Sequence, residues 1–153
     1  MSDDVLSPRT NEVPEATEWP RLYGYDPVVF TGAQTGDHIL INQQLANLTT
    51  DQRYKFEIFC KVGVYFTDPG ISQLSYSLTA GGSEFGPDSC NVVIPVKPGG
   101  YTHRVYSYVG SFNATASPPT IQYVIALAPG TPSSIQVNID AISMSLTPVN
   151  FIF

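Results

Sequence analysis

The residues best suited to chemistry in this chain are aromatic. In His103-Arg104-Val105-Tyr106-Ser107-Tyr108, strand alternation puts Arg104, Tyr106 and Tyr108 on one face, opposite Val105 and Val109. Two tyrosines at i and i+2 stand ~7 Å apart along a strand. Such a strip can stack on the apolar C–H face of a sugar ring while Arg104 and neighbouring amides bind its hydroxyls. The competing reading makes this the inner face, with both rings in the core and their hydroxyls at its edge. Phe59 is the second candidate, because it shares its side of a strand with Lys55, Glu57 and Lys61. Trp19, Tyr23 and Tyr25 form a third group, more suited to pinning an N-terminal segment onto a domain than to recognition.

Catalytic chemistry has little to work with. The sequence contains no GxSxG, HExxH, CxxC or phosphate-binding glycine loop. Its two histidines, His38 and His103, each open a strand-like run and read as surface turn residues. The acids on strand-like runs, Glu57 and Asp140, lack an evident partner for paired-carboxylate hydrolysis. Cys60 and Cys90 are too few for tetrahedral zinc; in an oxidising compartment they are expected to form a disulfide, the alternative being two buried thiols. Asn47-Leu48-Thr49 and Asn113-Ala114-Thr115 are N-glycosylation sequons at turn-like ends of strands.

Composition narrows the partners. Charged residues make up 13% of the 153, and the net charge is −6. Seven scattered basic residues cannot neutralise a phosphate backbone, so nucleic acid is not expected as a partner, nor is an anionic membrane. A neutral glycan demands no charge. Six acids (Asp3, Asp4, Glu12, Glu15, Glu18 and Asp26) fall in the first 26 residues, among Pro8, Pro14 and Pro20. Residues 1–20 therefore read as a flexible acidic arm, and 21–153 as one domain. No stretch has the ~20 apolar residues of a membrane span, and the N-terminus lacks a signal peptide's apolar core.

The elements that must hold these side chains read as strands throughout. Eight runs, 26–31, 38–48, 53–66, 71–79, 90–96, 103–112, 120–128 and 134–146, are separated by Gly- and Pro-rich turns such as Thr67–Gly70, Lys97–Gly100 and Pro129–Ser134. Tyr54, Phe56, Ile58, Cys60 and Val62 alternate with Arg53, Lys55, Glu57, Phe59 and Lys61. Ile121, Tyr123, Ile125 and Leu127 form another inward set. In the last run Ile135, Val137 and Ile139 are followed by Ile142, Met144 and Leu146, so the phase slips at Asp140–Ala141, as in a β-bulge. The fold class expected is all-β, an antiparallel two-sheet sandwich of jelly-roll type with about eight strands.

The passage Gln43-Gln44-Leu45 to Leu48, a Thr-rich turn and Tyr54 resembles the Q-x-L-x-x-L-x-x-G-x-x-Y segment of CenC-type carbohydrate-binding modules. Val137 to Met144 resembles that family's closing V-x-I-D-D-V-S-L. Three features depart from the pattern: the opening N-x-x-F-E strand is not visible, Asp51 replaces the turn glycine, and Ala141 replaces the second closing Asp. Only Asp140 remains of the acidic calcium ligands of many relatives, so no metal or cofactor is expected. The resemblance implies a jelly roll that binds a polysaccharide without altering it. Tyr106 and Tyr108 would be the platforms, with Arg104 and Phe59 in lesser roles. It also implies an extracellular setting, attached to or derived from a larger protein. The rival expectation is an adhesin- or capsid-like interaction domain; a hydrolase is a distant third.

Overall fold

A computed structural model describes residues 19–34, 36–66, 71–97 and 99–149. Most of the expected arm and the turn at 67–70 lie outside these residues. The described residues form nine strands and no helix: β1 (Arg21–Gly24), β2 (Val28–Thr31), β3 (Gly36–Gln44), β4 (Arg53–Tyr65), β5 (Gln73–Gly82), β6 (Asp88–Pro95), β7 (Tyr101–Asn113), β8 (Thr120–Leu127) and β9 (Gln136–Pro148). One sheet runs β1-β9-β4-β7, with β2 also on β9; the other runs β3-β8-β5-β6. Every pairing is antiparallel. The chain changes sheet at each connection except β1–β2 and the β5–β6 hairpin. This winding is that of a jelly-roll β-sandwich, with the first strand broken into β1 and β2.

That break accounts for nine strands where eight were expected. β1 is four residues long, too short for a period to show, and it pairs with residues 143–146 at the far end of the sequence. Its position is fixed from outside. Arg21, buried, donates to the carbonyl of Ala46 at 2.6 Å and lies 4.9 Å from the Trp19 ring, which itself packs on Tyr54.

Alternation builds the core. Tyr54, Phe56, Ile58, Cys60, Val62 and Val64 from β4 meet Ile121, Tyr123, Ile125 and Leu127 from β8 and Leu74, Tyr76 and Leu78 from β5. The phase slip in β9 is real. Lys61 pairs with Ala141 and Val62 with Ile139, leaving Asp140 as the extra residue. The bulge keeps Ile139 and Ile142 both in the core although they are three apart. His38 is not a surface residue as the sequence suggested; it is buried and stacked 4.1 Å from the Phe30 ring.

Ile58 is fully buried at the middle of β4, so truncation leaves a cavity that neighbours on two sheets cannot fill. Ile58→Ala is expected to cost roughly 2–5 kcal/mol of stability in urea unfolding, whereas Lys55→Ala on the opposite side of the strand should leave the midpoint nearly unchanged.

Candidate functional site

β7 separates the candidate residues by face. Arg104, Tyr106 and Tyr108 do share one side, and it is the inner one. Tyr106 lies opposite Cys60, and Tyr108 opposite Ile58, both core positions. The two tyrosine rings are half-buried against the core. The Tyr106 ring meets Tyr76 edge-on at 6.1 Å with their hydroxyls hydrogen-bonded, and the Tyr108 hydroxyl donates to Asp88. Both tyrosines thus reach from the edge of one sheet to the other. They close a slit of about 130 Å³ lined also by Leu78, Ala80, Cys90 and Tyr123. Arg104 stays exposed, donating to the carbonyl of His103 at 2.9 Å. Open ring faces, which stacking requires, are not what this side of β7 presents.

The bridge expected between Cys60 and Cys90 is absent: both are free thiols, Cys60 buried and Cys90 exposed. They stand on different sheets, with Tyr106 and Tyr123 near both. Burial pushes the Cys60 thiol up to about 12. Asn47 and Asn113 are exposed, at the loop after β3 and the end of β7.

The outer face of the β1-β9-β4-β7 sheet carries the open aromatic rings. Phe59 lies between Ser107 of β7 and Ser143 of β9, with Gly24 beyond Ser143. Small neighbours on both sides leave the ring standing, 37% exposed. It forms one wall of a groove of about 450 Å³ lined by Leu22, Gly24, Glu57, Ser143 and Ser145. Farther along the same face, Tyr65 and Tyr101 face each other across the β4–β7 ladder, 39% and 40% exposed. Lys61 occupies the face between them and Phe59.

Tyr101 is held by a polar chain that the sequence reading did not assemble. Gln136 donates to Asn138 at 3.0 Å, Asn138 donates to the Tyr101 oxygen at 2.9 Å, and Tyr101 donates to Asp140 at 2.9 Å. The His103 ring stands edge-on to Tyr101 at 4.2 Å, its Nδ1 3.8 Å from Asp140. Two backbone features make this possible. Alternation along β9 puts Gln136, Asn138 and Asp140 on one side, and the phase slips only beyond Asp140. Gly63, opposite both His103 and Asn138, leaves the floor open; a Cβ there would sit 2.1 Å from the Tyr101 oxygen. A glycine inside an otherwise bulky strand was the available signal, since it marks close approach by another group. Partial burial, then the bond to Asp140, raises the Tyr101 pKa above the ordinary phenol value.

The outer face of the other sheet differs in kind. Rows such as Asn42-Gln122-Gly81 and Ala126-Ser77-Asn91 are small and polar, with aliphatic side chains at Ile39, Val124 and Val93 and no aromatic ring among the described residues. The two carboxylates on the aromatic face among the described strand residues, Glu57 and Asp140, are four to five ladder positions apart, ~13–17 Å along the strand.

No family model matches the chain, and no curated protein matches it. Among solved structures it is similar to the EclA C-terminal domain, described as a sugar-binding protein, at 14% identity and a TM-score of 0.42, covering 80% of this chain and 77% of that one. It is also similar to the C-terminal family 22 carbohydrate binding module of Clostridium thermocellum Xyn10B, at 12% identity and 0.34, over 97% and 83%. A third similarity is to a chain of infectious bursal disease virus Gx strain, at 11% identity and 0.44. There the alignment covers 87% of this chain but only 37% of the viral one.

Gly63→Ala is expected to push Tyr101 off Asp140, so that the ionisation of that phenol, followed by NMR, falls back toward the ordinary ~10. Tyr108 is held up to about 12 by burial and by its bond to Asp88. A folded-state value raised above the unfolded one stabilises below about pH 10 and is lost as pH rises through about 12. Alkaline unfolding should therefore steepen in that window, and less so in Tyr108→Phe, which has no proton to lose.

Proposed function

We propose that this chain is a non-catalytic carbohydrate-binding module whose ligand lies along the outer face of the β1-β9-β4-β7 sheet. The observation that carries this reading is the set of open rings on one face, each beside hydrogen-bonding groups. Phe59 has Ser107, Ser143 and Glu57 for neighbours; Tyr101 and Tyr65 have Asn138, Asp140 and His103. Phe59 and the Gly63 position under Tyr101 are four residues apart on β4, ~13 Å. One extended oligosaccharide can touch both stations while its hydroxyls reach the amides and carboxylates between the strands. A ring already fixed by Asp140 and Asn138 loses little side-chain freedom on binding, which favours affinity.

Recognition without bond breaking follows from the acids on this face. Glycosidase carboxylate pairs stand about 5–9.5 Å apart, closer than the strand separation of Glu57 and Asp140. Tyr106 and Tyr108 then act from the inner side, closing the slit beneath β7, while Arg104 stays exposed outside it. The setting that suits such a module is extracellular, as part of or derived from a larger protein, with Asn47 and Asn113 as glycan acceptors. An adhesin- or capsid-like interaction domain is the second reading, supported by the exposed Val105 and Val109.

A panel of soluble and insoluble polysaccharides tests the proposal by affinity electrophoresis and calorimetry. Phe59→Ala and Tyr101→Ala should each weaken the best ligand about tenfold, ~1.4 kcal/mol. Tyr106→Phe and Tyr108→Phe, which keep the rings, should not. Binding lost in the latter pair and kept in the former would move the site to the slit. No binding to any glycan would end the reading.

A further inference from the structure

Among the described residues β7 is the end strand of its sheet, bonded to β4 along all thirteen of its residues and to no described strand on its other side. Exposed edges template further pairing, and proteins blunt them with shortness, bulges, prolines or charges. The other edges are blunted in these ways. β1 and β2 have four residues each. β3 carries Asp37 and an irregular register between Ile39 and Ile41. β6 is eight residues long, starting at Asp88 and ending at Pro95. β7 has no proline and no lysine, and its ladder to β4 runs without a register shift. Its charged group, Arg104, lies toward one end.

The sequence of β7 also reads the same in both directions about its middle. Val105-Tyr106-Ser107-Tyr108-Val109 is a palindrome centred on Ser107. An antiparallel pair related by a two-fold axis is isologous, so each residue must tolerate its symmetry mate. Centred on Ser107, that register sets Val105 against Val109 of a second copy and Tyr106 against Tyr108. Arg104 meets Gly110, and His103 meets Ser111. No like charges face each other, and the β-branched pairs are of the favourable kind. Val105 and Val109, 58% and 57% exposed on the outer face, would cover one another.

We infer that β7 pairs with β7 of a second copy about a two-fold axis at Ser107, joining the two five-stranded sheets into one. The inference does not depend on glycan binding. On that axis Ser107 faces itself at the ~4.5–5.5 Å Cα separation of opposed strand residues, within disulfide reach. Identical residues at 105 would be four positions out of register, ~13 Å apart.

Cysteine placement in the full chain, in a Cys90→Ser background, reads this register directly. Under mild oxidation Ser107→Cys should cross-link to a covalent dimer. Val105→Cys alone should not, whereas Val105→Cys mixed with Val109→Cys should. Ser107→Lys, which opposes two ammonium groups, should sediment as a monomer while keeping the parent's far-UV spectrum. The inference is overturned if the parent sediments as a monomer at every concentration and Ser107→Cys fails to cross-link. It is equally overturned if positions 105 and 107 self-link to the same extent.

Discussion

Between Tyr54 and Tyr65, β4 is hydrogen-bonded on both sides, to β7 and to β9, and everything else in the larger sheet hangs from that double ladder. β9 in turn carries β1 on one half and β2 on the other. The two halves of β9 are out of phase with each other, and a rigid strand could not bury both. The extra residue at Asp140 resolves the conflict. It lets Val137 and Ile139 face the core above it and Ile142, Met144 and Leu146 below it. The slip leaves Asp140 and Ala141 consecutive on the solvent side of the sheet.

Asp140 organises the outer face of this sheet. Asp140 accepts from Tyr101, Asn138 donates to it, and the space both need exists because residue 63 has no side chain. The inner side of β7 does different work with the same residue type. There Tyr106 and Tyr108 span to Tyr76 and Asp88 on the other sheet. One strand thus offers tyrosines to both solvent and core, and the partners of each hydroxyl decide its role.

Strict alternation made the framework legible. β4, β8 and both halves of β9 bury the residues their period marks, and the bulge falls where the period slips. Alternation says which residues share a face but not which face points inward. On β7, valines on one side and tyrosines on the other leave that choice to the rest of the sheet, so the chemistry of Tyr106 and Tyr108 was legible and their setting was not. Tyr101 and Asp140 are 39 positions apart, and their meeting depends on a register between strands that no local pattern encodes. The same holds for β1, whose four residues are strand only because β9 lies beside them.

The order of the strands along the chain has a consequence for biosynthesis. β9, which lies between β1 and β2 and the rest of the larger sheet, leaves the ribosome after the eight other described strands. Until residues 136–148 have emerged, β1 and β2 have no ladder to join, while β5 and β6 can already pair as a hairpin. A nascent chain therefore carries β1 and β2 without their ladder partner for as long as β3 to β8 are being made.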